Sequence, residues 1–227
     1  MRRDFDAIAF DLDGTLYPDY RLNYKLLPFL LRHWRLLAAF GKARDQIRRE
    51  QEQSPASFRP DFYEYQAQLT AERLSAQPEK IRETIERLIY RGWEPLFLGV
   101  RLYPQAVELI AELKAAGYKL GLLSDFPPET KIKHLGIGDC WDAVLGSETT
   151  GALKPALRPF ICLAEALKCA PERMLYVGNS YRYDVLGATR AGMKTALITS
   201  PFKSGAVKPG ISFVFNNYRQ LRNFVLQ

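Results

Sequence analysis

From Pro104 onward the chain alternates helical patterns with short apolar runs, and few folds accept that rhythm. A helix is expected from Pro104 to Gly117, with proline at its start and glycine at its stop. "YKLGLLS" then reads as a strand, "WDAVLGS" as a short strand, and 156–168 as a helix with Phe160, Leu163 and Leu167 on one face. "RMLYVGN" is a strand, 183–191 a helix and "KTALIT" a strand. "ISFVFN" and 217–226 add an edge strand and a last helix. Strands separated by helices pair in parallel through helical crossovers, so the expected class is α/β.

One strand stands apart from this series. "FDAIAF" at 5–10 is apolar, and the pattern turns helical from about 20 to 92. Leu27, Leu30, Leu31, Trp34 and Ala38 have the spacing of one helix face, with Pro28 a point of restart or kink. The chain then turns basic at Lys42, Arg44, Arg48 and Arg49, and "SPASFRP" breaks it. Two further helices are expected over 61–75 and 79–91, the second with Ile81, Ile85, Leu88 and Ile89 as its stripe. The sequence therefore divides into an α/β core, 1–18 and 98–227, and an all-helical insertion, 19–97. Ligands of open α/β sheets bind at the carboxyl ends of the strands, and the insertion is rooted beside that edge.

The 227 residues suffice for one sizeable core, or a core plus a small second domain. A net charge of +7 suits an anionic partner, either nucleic acid or phosphorylated small molecules. No DNA or RNA recognition motif is visible, so a solvated basic surface is preferred to nucleic-acid binding. Cys140, Cys162 and Cys169 are odd in number and lack CxxC spacing, which fits reduced thiols in a cytoplasmic protein. His33 and His134 form no zinc signature. A secretory leader is not expected, because the first strand starts by Phe5. The most apolar window, 22–40, holds Lys25, Arg32, His33 and Arg35, too much charge for a membrane span. No feature sets an oligomeric state.

Four stretches fall at or just after strand ends: Asp11–Thr15, Ser124–Asp125, Gly151–Pro155 and Gly178–Asp184. Each has a plain structural reading by itself. Asp13-Gly14 makes a turn, Ser124 or Asp125 caps a helix, Lys154 is exposed, and Asp184 sits in a first helical turn. Together they suggest more. Asp11 and Asp13 repel each other unless a cation lies between them, and Mg²⁺ prefers one or two carboxylates, a carbonyl, waters and a phosphate oxygen. A carboxylate can attack phosphorus, a serine and a lysine can hold the phosphoryl oxygens, and a second acid can shuttle the proton.

With these stretches in order, the sequence resembles the haloacid-dehalogenase-like hydrolase superfamily, in the phosphatase branch whose helical cap is inserted after the first motif. "DLDGT" at 11–15 matches the first motif, Ser124 at the end of "LGLLS" the second, Lys154 in "GALKP" the third, and "VGNSYRYD" at 177–184 the fourth imperfectly. The resemblance implies a Rossmann-like core with a four-helix-type cap. It implies Asp11 as nucleophile and metal ligand, and Asp13 as acid/base whose carbonyl also binds Mg²⁺. Ser124, Asp125 and Lys154 would bind the substrate phosphate, and Asn179 and Asp184 would complete the metal site. Asp13 favours phosphoryl chemistry, because dehalogenases have no leaving alkoxide to protonate.

Asn179 departs from the pattern, which usually has aspartate there. An amide offers a carbonyl oxygen without full charge, so metal affinity should fall. The function expected is a Mg²⁺-dependent phosphatase of a small phosphorylated metabolite, working through an aspartyl-phosphate. The alternatives are a phosphomutase or phosphotransferase of the same family, and a non-catalytic phosphometabolite-binding protein with a weakened metal site. Arg32, Arg35, Lys42 and Arg44 are candidates for anion steering, with a solvated helix face as their preferred role.

Overall fold

Strand β1, Ala7–Phe10, is buried along its whole length, as a strand covered on both faces of a parallel sheet must be. The computed structural model describes residues 4–54, 58–200 and 208–227. Its other strands are β2 (Lys119–Ser124), β3 (Ala143–Gly146), β4 (Met174–Gly178), β5 (Lys194–Ile198) and β6 (Phe213–Phe215). They form one sheet in the order β3-β2-β1-β4-β5-β6, and every pairing is parallel. The chain runs outward from β1 to β3 and then returns to β4 on the other side of β1. The order therefore reverses between β1 and β4, which opens a crevice at their carboxyl ends.

Strand alternation assigns the two faces. Ile8 and Phe10 join Leu109, Leu113, Leu122, Val177 and Leu221 in one cluster, under helices α6 (Ala106–Ala115) and α10 (Tyr218–Leu226). Ala7 and Ala9 join Phe160, Leu163, Tyr176 and Ala188 in the other, under α8 (Leu157–Ala166) and α9 (Leu186–Arg190). Small α7 (Glu129–His134) follows β2. The expected Rossmann-like α/β architecture is what the chain adopts. Cys140, Cys162 and Cys169 are all free thiols. No helix among the described residues is long and apolar enough to cross a membrane.

The segment after β1 is helical: α1 (Tyr20–Arg32), α2 (Trp34–Gln53), α3 (Phe62–Leu74), α4 (Pro78–Ile85), then a π-turn, Glu86–Tyr90, leading into α5 (Arg91–Trp93). Phe40 packs with Ala67, Ala71, Ile81, Ile85 and Ile89, so the stripe expected on the 79–91 helix is buried apart from half-buried Leu88. The break expected at "SPASFRP" lies partly outside the described residues.

The first helical face is corrected. Leu27, Leu31 and Trp34 are 53%, 70% and 64% exposed, and the buried residues are Leu22 and Leu26 on α1 with Leu36, Ala39 and Phe40 on α2. The helix does not run through as the spacing assumed. It passes Pro28 intact and breaks at His33, which resets the phase between the two helices. Arg44 is corrected too: it is 4% exposed, not on a solvated face. Arg32, Arg35 and Lys42 are exposed on their helices.

Candidate active site

Asp11 is the first residue past β1, and its N–H donates to the Val177 carbonyl at 2.9 Å. It thus sits in the crevice between β1 and β4. The side chain is 7% exposed, and both oxygens are held: Oδ1 accepts from Lys154 Nζ at 2.6 Å, Oδ2 from Thr15 Oγ1 at 2.7 Å. Burial pushes the Asp11 carboxyl up to about 7. Lys154 opposes the rise, while Asp184 and Asp13 add to it.

Asp13 lies two residues on, where the chain turns sharply through Leu12–Leu16. Its carboxylate accepts from Tyr17 OH, from Lys131 Nζ at 3.0 Å and from Ser124 Oγ at 3.3 Å. Burial would raise its pKa, but Lys131 and the Tyr17 hydroxyl together hold it below the ordinary value. Among side chains, Asp11 pairs with Lys154 and Asp13 with Lys131.

Gly14 completes the turn with φ +80°, and a Cβ there would lie 1.9 Å from the Asn179 side-chain nitrogen. Only glycine meets both demands. The contact brings Asn179, at the end of β4, against the first loop. Gly178 is equally confined, since its Cβ would meet Asp184 Cβ at 2.4 Å. Asp184 sits in a π-turn, Tyr181–Val185, and is 1% exposed. Its Oδ2 accepts from the backbone N–H of Asn179 and Ser180, at 3.1 and 2.9 Å, and its Oδ1 from Lys154 at 2.7 Å. Lys154 is thus wedged between two carboxylates, with Tyr176 OH at 3.3 Å and the Leu123 carbonyl at 3.4 Å. The two acids hold its pKa well above the usual lysine value although burial works the other way.

Asp11, Asp13, Ser124, Lys154, Asn179 and Asp184 are brought together at one sheet edge. Asp125 is also there, but it faces the helical layer. Its Oδ2 accepts from Arg48 Nη2 at 2.7 Å with Arg44 Nη2 at 3.7 Å, and its Oδ1 from the Lys154 N–H at 3.1 Å. Arg44 also pairs with Glu148, which accepts from Tyr90 OH at 3.0 Å. These contacts seat α2 on the loop that carries Lys154, together with a 3.0 Å bond from Arg48 Nε to the Lys154 carbonyl.

Burial alone would raise Asp125, yet Arg48, Arg44 and Lys154 lower it to about 2. A depressed folded-state pKa stabilises the fold above the unfolded value near 4 and ceases to do so as pH falls toward 2. Asp125→Asn should therefore lose about 2 kcal/mol at pH 7, and the gap to the parent should close between pH 4 and pH 2. Urea denaturation across that range checks it. A gap that does not change with pH would mean that the charge of Asp125 is irrelevant to its role.

Sequence reasoning missed Lys131, Arg48, Glu148 and Tyr176. Lys131 and Lys133 stand in the same short helix beside His134, and no pattern distinguishes the one that turns inward. Thr15 and Tyr17 lie inside or next to "DLDGT" and could have been read as its supports.

No three His, Cys, Asp or Glu residues among the described ones form a metal-holding group. The candidate donors in the crevice are Asp11, Asp184 and the Asn179 amide, with the Asp13 carbonyl as the resemblance implies. Burial raises Asp11 against the opposing Lys154, and the set offers oxygen donors with two carboxylates among them. It fits a hard divalent cation that keeps several waters.

Known proteins resemble this chain in sequence and in fold. A family model described as haloacid dehalogenase-like hydrolase matches residues 5–192. Glyceraldehyde 3-phosphate phosphatase of Methanothermobacter thermautotrophicus is 36% identical over 107 residues, 46% of this chain and 47% of that protein. Phosphoglycolate phosphatase of Yersinia pseudotuberculosis is 26% identical over 210 residues, 88% of this chain and 83% of that one. The crystal structure of a HAD phosphatase from Thermococcus onnurineus superposes with a TM-score of 0.64 at 24% identity, over 97% of both chains. The family match spans both β1 with its two aspartates and the β4 loop with Asp184, the elements that build the crevice, so the chain belongs to the haloacid dehalogenase-like hydrolases.

Proposed function

We propose that the chain is a Mg²⁺-dependent phosphatase that hydrolyses a small phosphate monoester through phosphorylation of Asp11. The observation that carries this reading is the state of Asp11: a buried carboxylate held at both oxygens, in the crevice where the strand order reverses. A positioned carboxylate of this kind is a nucleophile in waiting.

An Asp11 oxygen attacks phosphorus, the ester P–O bond breaks, and Asp13 gives a proton to the leaving oxygen. Water then attacks the aspartyl-phosphate, Asp13 takes its proton, and the Asp11–phosphorus bond breaks to release phosphate. Ser124 and Lys154 hold the non-bridging phosphoryl oxygens, where negative charge spreads in the transition state. Asp125 serves the phosphate site indirectly, by holding Arg48 and the backbone of Lys154. Asp11, Asp184, Asn179 and the Asp13 carbonyl would hold Mg²⁺. Its charge would offset repulsion between Asp11 and an anionic substrate. The helical segment 19–97 acts as a cap that closes over the site and excludes water.

The named relatives, both phosphatases of small phosphorylated metabolites, support the substrate class. The test is phosphate release from a panel of metabolite phosphates, with and without Mg²⁺. Release that requires Mg²⁺ is expected. Isomerised products without free phosphate would indicate a mutase, and no turnover of any ester would overturn the reading.

Asn179→Asp should add one negative charge beside the cation and tighten Mg²⁺ binding. An increase of about tenfold, read by calorimetry with Mg²⁺ alone, is expected, with higher activity at limiting metal and a smaller gap at saturation. Coincident Mg²⁺ titrations of the two proteins would remove position 179 from the metal site.

A further inference from the structure

Helix α1 buries one side and leaves an apolar side in water. Leu22, Leu26 and Phe29 face the protein: the leucines are buried, and the Phe29 ring meets Trp93 at 6.1 Å between centroids. Tyr20, Tyr24, Leu27 and Leu31 stand at i, i+4, i+7 and i+11, so they form one stripe along roughly 16 Å of helix. All four are exposed, the tyrosines at 66% and 65%, and Trp34 at the start of α2 is exposed beyond them. A continuous run of large apolar side chains in water marks a contact surface.

Its charge says which occupant fits. A cation follows each of four exposed residues: Arg21 after Tyr20, Lys25 after Tyr24, Arg32 after Leu31 and Arg35 after Trp34. One residue is about 100° round a helix, so on α1 these cations make a basic flank beside the stripe. From Tyr20 to Arg44 the chain has six Lys or Arg and no Asp or Glu, which is nearly the whole of its net charge of +7. Arg21 and Lys25 are pinned by the carbonyls of Arg101, Leu96 and Leu98 at 2.8–3.1 Å, and neutral oxygens fix them without cancelling their charge. Arg32 and Arg35 are exposed and form no ion pair among the described residues. Asp19, the acid just before the helix, has its carboxylate against Gly14, on the crevice side.

We infer that α1 is a docking surface for an anionic lipid bilayer. The helix lies flat, with its stripe in the headgroup region and its basic flank on the lipid phosphates. It is too short and too charged to span. A second copy of the chain is the poorer occupant, because pairing α1 with itself antiparallel sets one basic flank against the other with no acid to answer either. A soluble acidic partner would answer the charge, but the stripe is the convex outer side of a helix, with tyrosines at one end, tryptophan at the other and leucines between. That order of side chains suits a bilayer interface, where amphipathic aromatics sit at headgroup level.

The test is co-sedimentation of the whole chain with vesicles of equal parts phosphatidylglycerol and phosphatidylcholine, and with phosphatidylcholine alone, at low and at high salt. The parent should bind the mixed vesicles at least about tenfold more tightly than the neutral ones, and high salt should release it. Leu27→Gln/Leu31→Gln, at two exposed positions, should weaken binding about tenfold with an unchanged melting temperature. Arg32→Gln/Arg35→Gln should weaken it by a similar factor on the mixed vesicles only. Absence of binding to the mixed vesicles would overturn the proposal. So would binding that Leu27→Gln/Leu31→Gln does not weaken, which is adsorption of a basic protein without its stripe. Size-exclusion chromatography without lipid tests the second copy: a dimeric parent beside a monomeric Leu27→Gln/Leu31→Gln would assign the face to self-association instead. Soluble polyglutamate bound as tightly as the mixed vesicles would assign it to an acidic protein.

Discussion

Asp11→Asn should reduce phosphate release at least about 10⁴-fold while leaving the fold as stable as the parent. The amide keeps the volume and the bond to Thr15 but cannot attack phosphorus. Stability should hold because the substitution removes one of two buried acids around Lys154, and Asp184 still answers its charge at 2.7 Å. Burial already pushes the Asp11 carboxyl up to about 7, so its charge is not what holds the fold together. Asp13→Asn should behave differently. General acid–base catalysis contributes about 10²–10⁴-fold, and a good leaving group needs little protonation. Turnover of a nitrophenyl ester should therefore survive better in its first half than that of an alkyl ester. Acid quenching followed by intact mass measurement separates the two variants. Phosphorylated protein should accumulate with Asp13→Asn and be absent with Asp11→Asn. Parent-like phosphate release from Asp11→Asn would end the covalent mechanism.

The crevice is legible in the sequence because its chemistry is local. Asp11 and Asp13 stand at the end of an apolar strand, and the turn glycine comes at once. Gly14 and Gly178 mark the close approaches that put Asn179 and Asp184 against the first loop. The parallel sheet is legible because each strand is a short apolar run separated by helical spacing. The hidden part depends on which side of a helix the fold covers. Leu27, Leu31 and Trp34 have the spacing of a core face, yet α1 buries Leu22 and Leu26 instead. Periodicity states that a helix has an apolar side and not that a partner exists for it. Charged residues mislead for the same reason. Arg44 and Lys131 look like solvent-facing cations, and each is buried by an acid contributed from far along the chain: Glu148 for Arg44, and Asp13 for Lys131. The sequence puts Asp125 in the right loop, but its orientation depends on Arg48, which a helix 77 residues earlier delivers.

Lys154→Met should be the most destabilising single change at the site, by about 3–5 kcal/mol in the absence of metal. The lysine is 3% exposed and holds Asp11 at 2.6 Å and Asp184 at 2.7 Å. Methionine fills much of the apolar stem volume, so the loss is one of charge. Two carboxylates would then remain buried near each other with no cation between them. Asp184 keeps the backbone N–H groups of Asn179 and Ser180, and Asp11 keeps Thr15, but Asp184 loses the cation at 2.7 Å and Asp11 loses the one group that holds its carboxyl down. Lys154→Met/Asp184→Asn should therefore be less destabilised than the sum of its parts, because the second change removes one of the stranded acids. Mg²⁺ should recover part of the melting temperature of Lys154→Met, more than it adds to the parent, because a cation there replaces the missing charge. Activity at a temperature where both proteins are folded should still fall about 10²–10³-fold, since the phosphoryl oxygens lose the donor that Lys154 supplies. Urea denaturation with and without Mg²⁺, beside phosphate release, reads all three effects. If Lys154→Met unfolds within about 1 kcal/mol of the parent without metal, the buried acids are not held by this lysine. The loss of Asp11 orientation would then have to be sought in Thr15 and the β1–β4 pairing instead.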